Sequence, residues 1–175
     1  MFRFIEPKTS LVIALRCDPD RAISKLVDFV EPGITLFWFS RNHKPFEGYV
    51  QETSFRITRI LHYGNGFRPV LEGSVRRDND AALVFVKMRM FKAISVGYLS
   101  MFGLCVFLGC AYVLSALSKG DLAVPGIIIF VGLPIGLVFL AYTLFFIEAW
   151  IALSILKRIW KDLWLSVRTA ADSSW

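Results

Sequence analysis

The sequence predicts an α+β antiparallel sheet with one helix, followed by a two-helix transmembrane hairpin and a C-terminal amphipathic helix. Three observations carry this. Two uncharged apolar runs of 26 residues, 93–118 and 122–147, stand nearly back to back. The residues before them give one helical stretch and then alternating strands, and those after them return to a helical apolar stripe opposite a basic face. With 55% of the 175 residues hydrophobic and 20 Lys plus Arg against 14 Asp plus Glu, a polar disordered chain is excluded. The expected division is a cytoplasmic α+β domain over 1–92, the hairpin over 93–147 and an amphipathic basic tail over 148–175.

In the first part, residues 9–15 read as a strand. Asp18-Pro19-Asp20 then opens a helix, with Asp18 as N-cap and Pro19 at the first helical position. Ile23, Leu26, Val27 and Val30 form its apolar stripe, and Pro32-Gly33 ends it. The strongly apolar run 34–39 follows. Residues 46–51 and 53–61 look like one hairpin, and 70–76 and 82–90 like another around Arg77-Asp78-Asn79-Asp80. Phe55 and Ile57 alternate with Arg56 and Thr58, and Val84, Val86, Met88 and Met90 with Lys87 and Arg89. Period-two alternation gives a sheet of about five or six strands with one apolar face, which should pack on the helix. Its last strand feeds the first apolar run.

At about 1.5 Å per residue, each run exceeds a hydrocarbon core of about 30 Å. Between them stand Lys119, Gly120 and Asp121, a tight turn between antiparallel helices. Of the 20 Lys and Arg, 15 precede residue 93, one lies in the turn and four follow residue 148. The positive-inside rule then places both termini in the cytoplasm. No secretory leader is expected, because the apolar stretch 11–15 is short and closed by Arg16. In the second run, Gly132 and Gly136 offer a small face around Pro134, either for a helix partner or as ordinary membrane glycines. Neither run carries Asp, Glu, Lys, Arg or His at its centre, so the usual mark of an ion or proton path is missing.

After the second run, Leu156, Ile159, Trp160, Leu163 and Val167 recur at helical spacing opposite Lys157, Arg158, Lys161, Asp162 and Arg168. With Trp150 and Trp164 near the boundary, this helix should lie on the cytoplasmic membrane surface or against the domain. Tyr63-Gly64-Asn65-Gly66-Phe67-Arg68-Pro69 is a shaped loop. Tyr63, Asn65, Phe67 and Arg68 form either a recognition surface or a wide turn. It is no phosphate loop, since G-x-x-x-x-G-K-[ST] is missing.

Chemistry-bearing residues are sparse. Cys17, Cys105 and Cys110 make an odd set without C-x-x-C, and His43 and His62 have no ligand-spaced neighbours, so no metal site is expected. Glu47, Glu52 and Glu72 read as strand-face partners for Arg56, Arg59 and Arg68. A catalytic reading would need a convergent cluster such as His62, Glu72 and Arg68.

The segments Phe46-Glu47-Gly48-Tyr49-Val50, Phe55-Arg56-Ile57-Thr58-Arg59-Ile60, Tyr63 to Pro69 and Glu72-Gly73 resemble a group of small bacterial membrane proteins. The resemblance covers most of the chain. It implies a soluble N-terminal α+β domain before a two-helix hairpin, and no reaction, cofactor or catalytic residue; the basic, tryptophan-rich tail departs from it.

The expectation is a non-enzymatic accessory or scaffold subunit beside a larger membrane protein complex, without cofactor, metal or nucleic acid. Its partners would be that complex and anionic membrane lipids, with self-association also open. Contacts would fall on Gly132, Gly136, Trp150, Lys157, Arg158, Trp160, Lys161, Trp164, Tyr63, Asn65, Phe67 and Arg68. The alternative is a tethered module that binds a lipid or other small ligand in a pocket lined by Phe55, Ile57, Val84 and Val86.

Overall fold

Strand β1 (Lys8–Leu15) begins a chain described, in a computed structural model, over residues 7–33, 43–60, 67–79, 81–119 and 124–169. Helix α1 (Pro19–Val27) follows, then β2 (Val30–Glu31), β3 (Phe46–Val50), β4 (Ser54–Arg59), β5 (Pro69–Asp78) and β6 (Ala81–Met90). Two long helices, α2 (Lys92–Lys119) and α3 (Val124–Ile159), precede a last strand, β7 (Trp164–Thr169). The apolar run 34–39, Tyr63, Asn65 and the turn at 120–123 lie outside the described residues.

The strands form one mixed sheet in the order β2-β3-β4-β5-β6-β1-β7, antiparallel at every junction except the short β2/β3 pair. The α+β class is therefore as expected. β1 closes on β6 over its whole length, Lys8 opposite Arg89 and Leu15 opposite Ala82. Gly48 has a φ of 143°, and a Cβ there would stand 2.2 Å from the Arg56 carbonyl oxygen, so only glycine lets β3 approach β4.

Alternation sorts the two faces. Leu11, Ile13 and Leu15 of β1, Phe55 and Ile57 of β4, Leu71 and Val75 of β5 and Val84, Val86 and Met88 of β6 are buried on one side. α1 covers part of that side with Ala22, Ile23 and Leu26. Val27 points to solvent and Val30 belongs to β2, so the helix stripe is narrower than predicted. Pro19 starts α1, but the Asp18 side chain makes no capping bond; its carboxylate accepts from Arg77 Nη2 at 2.7 Å instead.

The rest of the cover comes from α3. It is eight residues longer than α2, about 12 Å at helical rise, and its C-terminal part crosses the sheet. Phe145, Ala149, Ala152, Leu156 and Ile159 join the same core, where the alanines let helix and sheet approach closely. Both α2 and α3 are long and apolar enough to cross a membrane.

One prediction is corrected here. The amphipathic helix expected to run on to Val167 stops at Ile159, and Trp164–Thr169 is a strand paired with β1, Val12 opposite Arg168 and Ile13 opposite Val167. β1 would otherwise present an unpaired edge, whose donors and acceptors the tail supplies. The turn between them is fixed by Leu163 N–H donating to Trp160 O at 2.9 Å and Arg16 N–H donating to Leu163 O at 2.7 Å.

Candidate functional site

Two regions hold functional side chains in fixed geometry: the junction between helices and sheet, and the sheet face away from the core. At the junction, Glu148 of α3 is only 2% exposed, and its Oε2 accepts from Arg59 Nη1 at 2.5 Å. Arg59 ends β4 at the side of the sheet where β6 passes into α2. Its carbonyl accepts from Arg68 Nη1 at 3.1 Å, and Arg68 Nη2 lies 3.1 Å from Glu47 Oε1. Phe67 stands edge-on to Tyr98 of α2, ring centroids 6.4 Å apart. Strands β3, β4 and β5 are thus tied to both long helices.

A second tie lies at the end of α3. Trp160 is fully buried, and its Nε1–H donates to Ala22 O of α1 at 3.1 Å. Lys25 Nζ reaches Asp162 Oδ2 at 3.2 Å, an exposed pair that adds little.

The sequence-predicted contacts therefore separate. Trp160, Phe67 and Arg68 are structural ties, while Trp150 is 71% exposed on α3 and Trp164 is half-buried in β7. Lys157, Arg158 and Lys161 are exposed near the end of α3. A Cβ on Gly132 or Gly136 would meet nothing within 4 Å, so these glycines do not mediate the α2/α3 contact. Tyr63 and Asn65 fall outside the described residues.

On the other sheet face the register builds a row across five strands: Tyr49, Arg56, Glu72, Lys87 and Ser10. The neighbouring row holds Ser54, Ser74, Phe85 and Val12. Apart from Val12, these residues and Gln51 line an open groove of about 360 Å³. Glu72 sits between cations, its Oε1 3.5 Å from Arg56 Nε and bonded to Arg89 Nη2. The Arg76 guanidinium lies over the Phe85 ring, 5.5 Å from its centroid. Ser54 Oγ donates to Gln51 Oε1 at 3.1 Å. Arg56, Glu72 and Lys87 were legible as a polar strand face; their convergence with serines from β1, β4 and β5 needs the strand order, which no local pattern gives.

Among the described residues no cluster of three His, Cys, Asp or Glu side chains could hold a metal. His43 Nδ1 lies 3.1 Å from Glu31 Oε2, and Lys44 N–H donates to Glu31 Oε1 at 2.9 Å. The Lys44 amide, then the His43 bond, hold the Glu31 carboxyl below its ordinary pKa. Burial pushes the Cys17 thiol up, against the attraction of Arg21, which leaves it a poor nucleophile at neutral pH. No family model matches the chain, and neither a similar protein nor a similar solved structure was found.

Proposed function

We propose that the protein is a non-enzymatic integral membrane accessory or scaffold subunit, with α2 and α3 spanning a bacterial inner membrane and the sheet domain docking on the cytoplasmic face of a larger complex. The observation that carries this reading is the continuity of α3. One helix serves both as an apolar rod and as the lid of the sheet core, so the orientation of the domain follows that of the helix. A tether that only held a domain near the membrane would need no shared core and no Arg59–Glu148 pair at the junction.

The outer surface of the long helices supports it too. Phe107 and Leu114 of α2 and Ile135 and Phe139 of α3 are all more than 60% exposed, a surface suited to lipid or a partner helix. The cation excess of residues 1–92 supports cytoplasmic termini. The core face gives no support to a module that holds an apolar ligand there, because Phe55, Ile57, Val84 and Val86 are buried in the same cluster as residues of α1 and α3.

Extraction of the tagged full chain from its native membrane in a mild polymer disc, followed by mass spectrometry of what stays bound, tests the proposal. A stoichiometric larger complex is the expected result. A lone small particle from fully solubilised membrane would overturn it.

A further inference from the structure

We propose that the groove on the outer sheet face is a binding site for a small hydroxylated oxyanion, a phosphate or carboxylate group carried on a short polyol. This goes beyond the accessory-subunit reading and does not depend on it. Arg56 and Lys87 line the groove beside one carboxylate, Glu72, and Arg89 bonds that carboxylate from outside the lining, so the surroundings of Glu72 carry a surplus of two positive charges. Glu72 engages the two arginines, whereas Lys87, directly opposite it in the register, has no ion pair among the described residues. An exposed ammonium beside an already neutralised carboxylate is a ready partner for an incoming anion.

The polar lining supplies the rest. Ser10, Ser54 and Ser74 rise from three different strands and Gln51 and Tyr49 close one end, which provides hydroxyl and amide partners for a polyol. The exposed Tyr49 ring gives it flat apolar surface. A volume of about 360 Å³ is at the small end of ligand sites and fits a small molecule rather than a peptide chain.

The same chemistry has two sources, a free phosphorylated polyol and the phosphoglycerol headgroup of a lipid. Lys87 precedes the first residue of α2 by five positions, about 17 Å along an extended strand. A headgroup in the plane of a bilayer spanned by α2 would meet Lys92 before Lys87, which favours the free molecule.

The test uses the full chain in nanodiscs of phosphatidylcholine, titrated with sn-glycerol 3-phosphate and followed by ligand-observed NMR. Saturable binding is expected, weakened roughly tenfold by Lys87→Ala, the loss of one charge-assisted contact. Glu72→Gln should tighten it, because the surplus of positive charge grows. Both side chains lie on the sheet surface away from the core, and unchanged far-UV circular dichroism controls for folding. A parallel set of discs with phosphatidylglycerol separates the sources: competition with the free ligand that disappears in Lys87→Ala would assign the site to the lipid headgroup. Binding indifferent to both substitutions, or no binding up to millimolar ligand in either disc, would overturn the proposal.

Discussion

The two parts of α3 are both rich in large apolar residues and live in different surroundings. Around Gly132–Leu140 the side chains of Leu133, Ile135 and Phe139 point away from the protein. From Phe145 to Ile159 one face of the helix is core: Phe145, Ala152 and Leu156 are fully buried, while Phe146, Ile147 and Trp150 stay exposed on the other face. A run of large apolar side chains therefore does not tell which stretch is exposed and which is core. The second part differs in its alanines and in its charges, Glu148, Lys157 and Arg158. Ala141, Ala149 and Ala152 line the buried stripe, and Glu148 finds Arg59 there.

The largest effect should come from emptying the protein-facing part. Trp160→Ala removes a fully buried ring and leaves the Ala22 carbonyl without its donor, at a cost of about 3–5 kcal/mol. Phe139→Ala, on a ring 73% exposed, should leave the denaturation midpoint of the sheet domain unchanged. Tryptophan fluorescence of the full chain in detergent during urea unfolding reads both. Equal shifts for the two variants would erase the distinction between the parts.

Next comes the charge. Replacing Glu148 by Ala strands Arg59 at the junction, and because Arg59 retains some solvent access the loss should be about 3 kcal/mol or less. Arg59→Met combined with Glu148→Leu should recover most of it, since neither charge is then left alone. A double variant as unstable as the single would show that the pair is needed for more than mutual compensation.

Smaller effects belong to the membrane-type part. Gly132→Ala and Gly136→Ala meet no atom of this chain, so the stability of the purified protein should stay within about 0.5 kcal/mol or rise slightly through helix propensity. Recovery of a partner on extraction should fall if these glycines seat a foreign helix. Stability lost without any partner would instead mean that they serve the hairpin itself.

How much of this could be read in advance depends on which interactions are local. β1, α1 and β3 to β6 were legible from alternation and from Asp18-Pro19, because each pattern repeats within a few residues. β7 was not. Leu156, Ile159, Trp160, Leu163 and Val167 keep helical spacing, yet the open edge of β1, some 150 residues earlier, decides the conformation after Leu163. Glu148 was read as the start of a tail, and its partner Arg59 lies 89 residues away in sequence. The groove failed to show for the same reason: Ser10 and Lys87 become neighbours only when β1 returns to β6.

The smallest predicted effect lies where neither part of α3 reaches, and it serves as a control on the comparison. Glu31 holds the Lys44 amide and His43 to β2, and these bonds keep its carboxyl below the ordinary glutamate pKa of about 4.3. A lowered folded-state value means that the stabilisation is present above the unfolded pKa and fades as pH falls through the folded one. The Lys44 amide proton shift should therefore titrate with a midpoint below that of a free glutamate, and Glu31→Gln should abolish the titration. The same midpoint is expected in Phe139→Ala and in the Arg59→Met/Glu148→Leu variant, since β2 joins the sheet only through β3. A midpoint that moved with those substitutions would tie the far edge of the sheet to α3 and extend the shared core beyond the strands on which it is seen to rest.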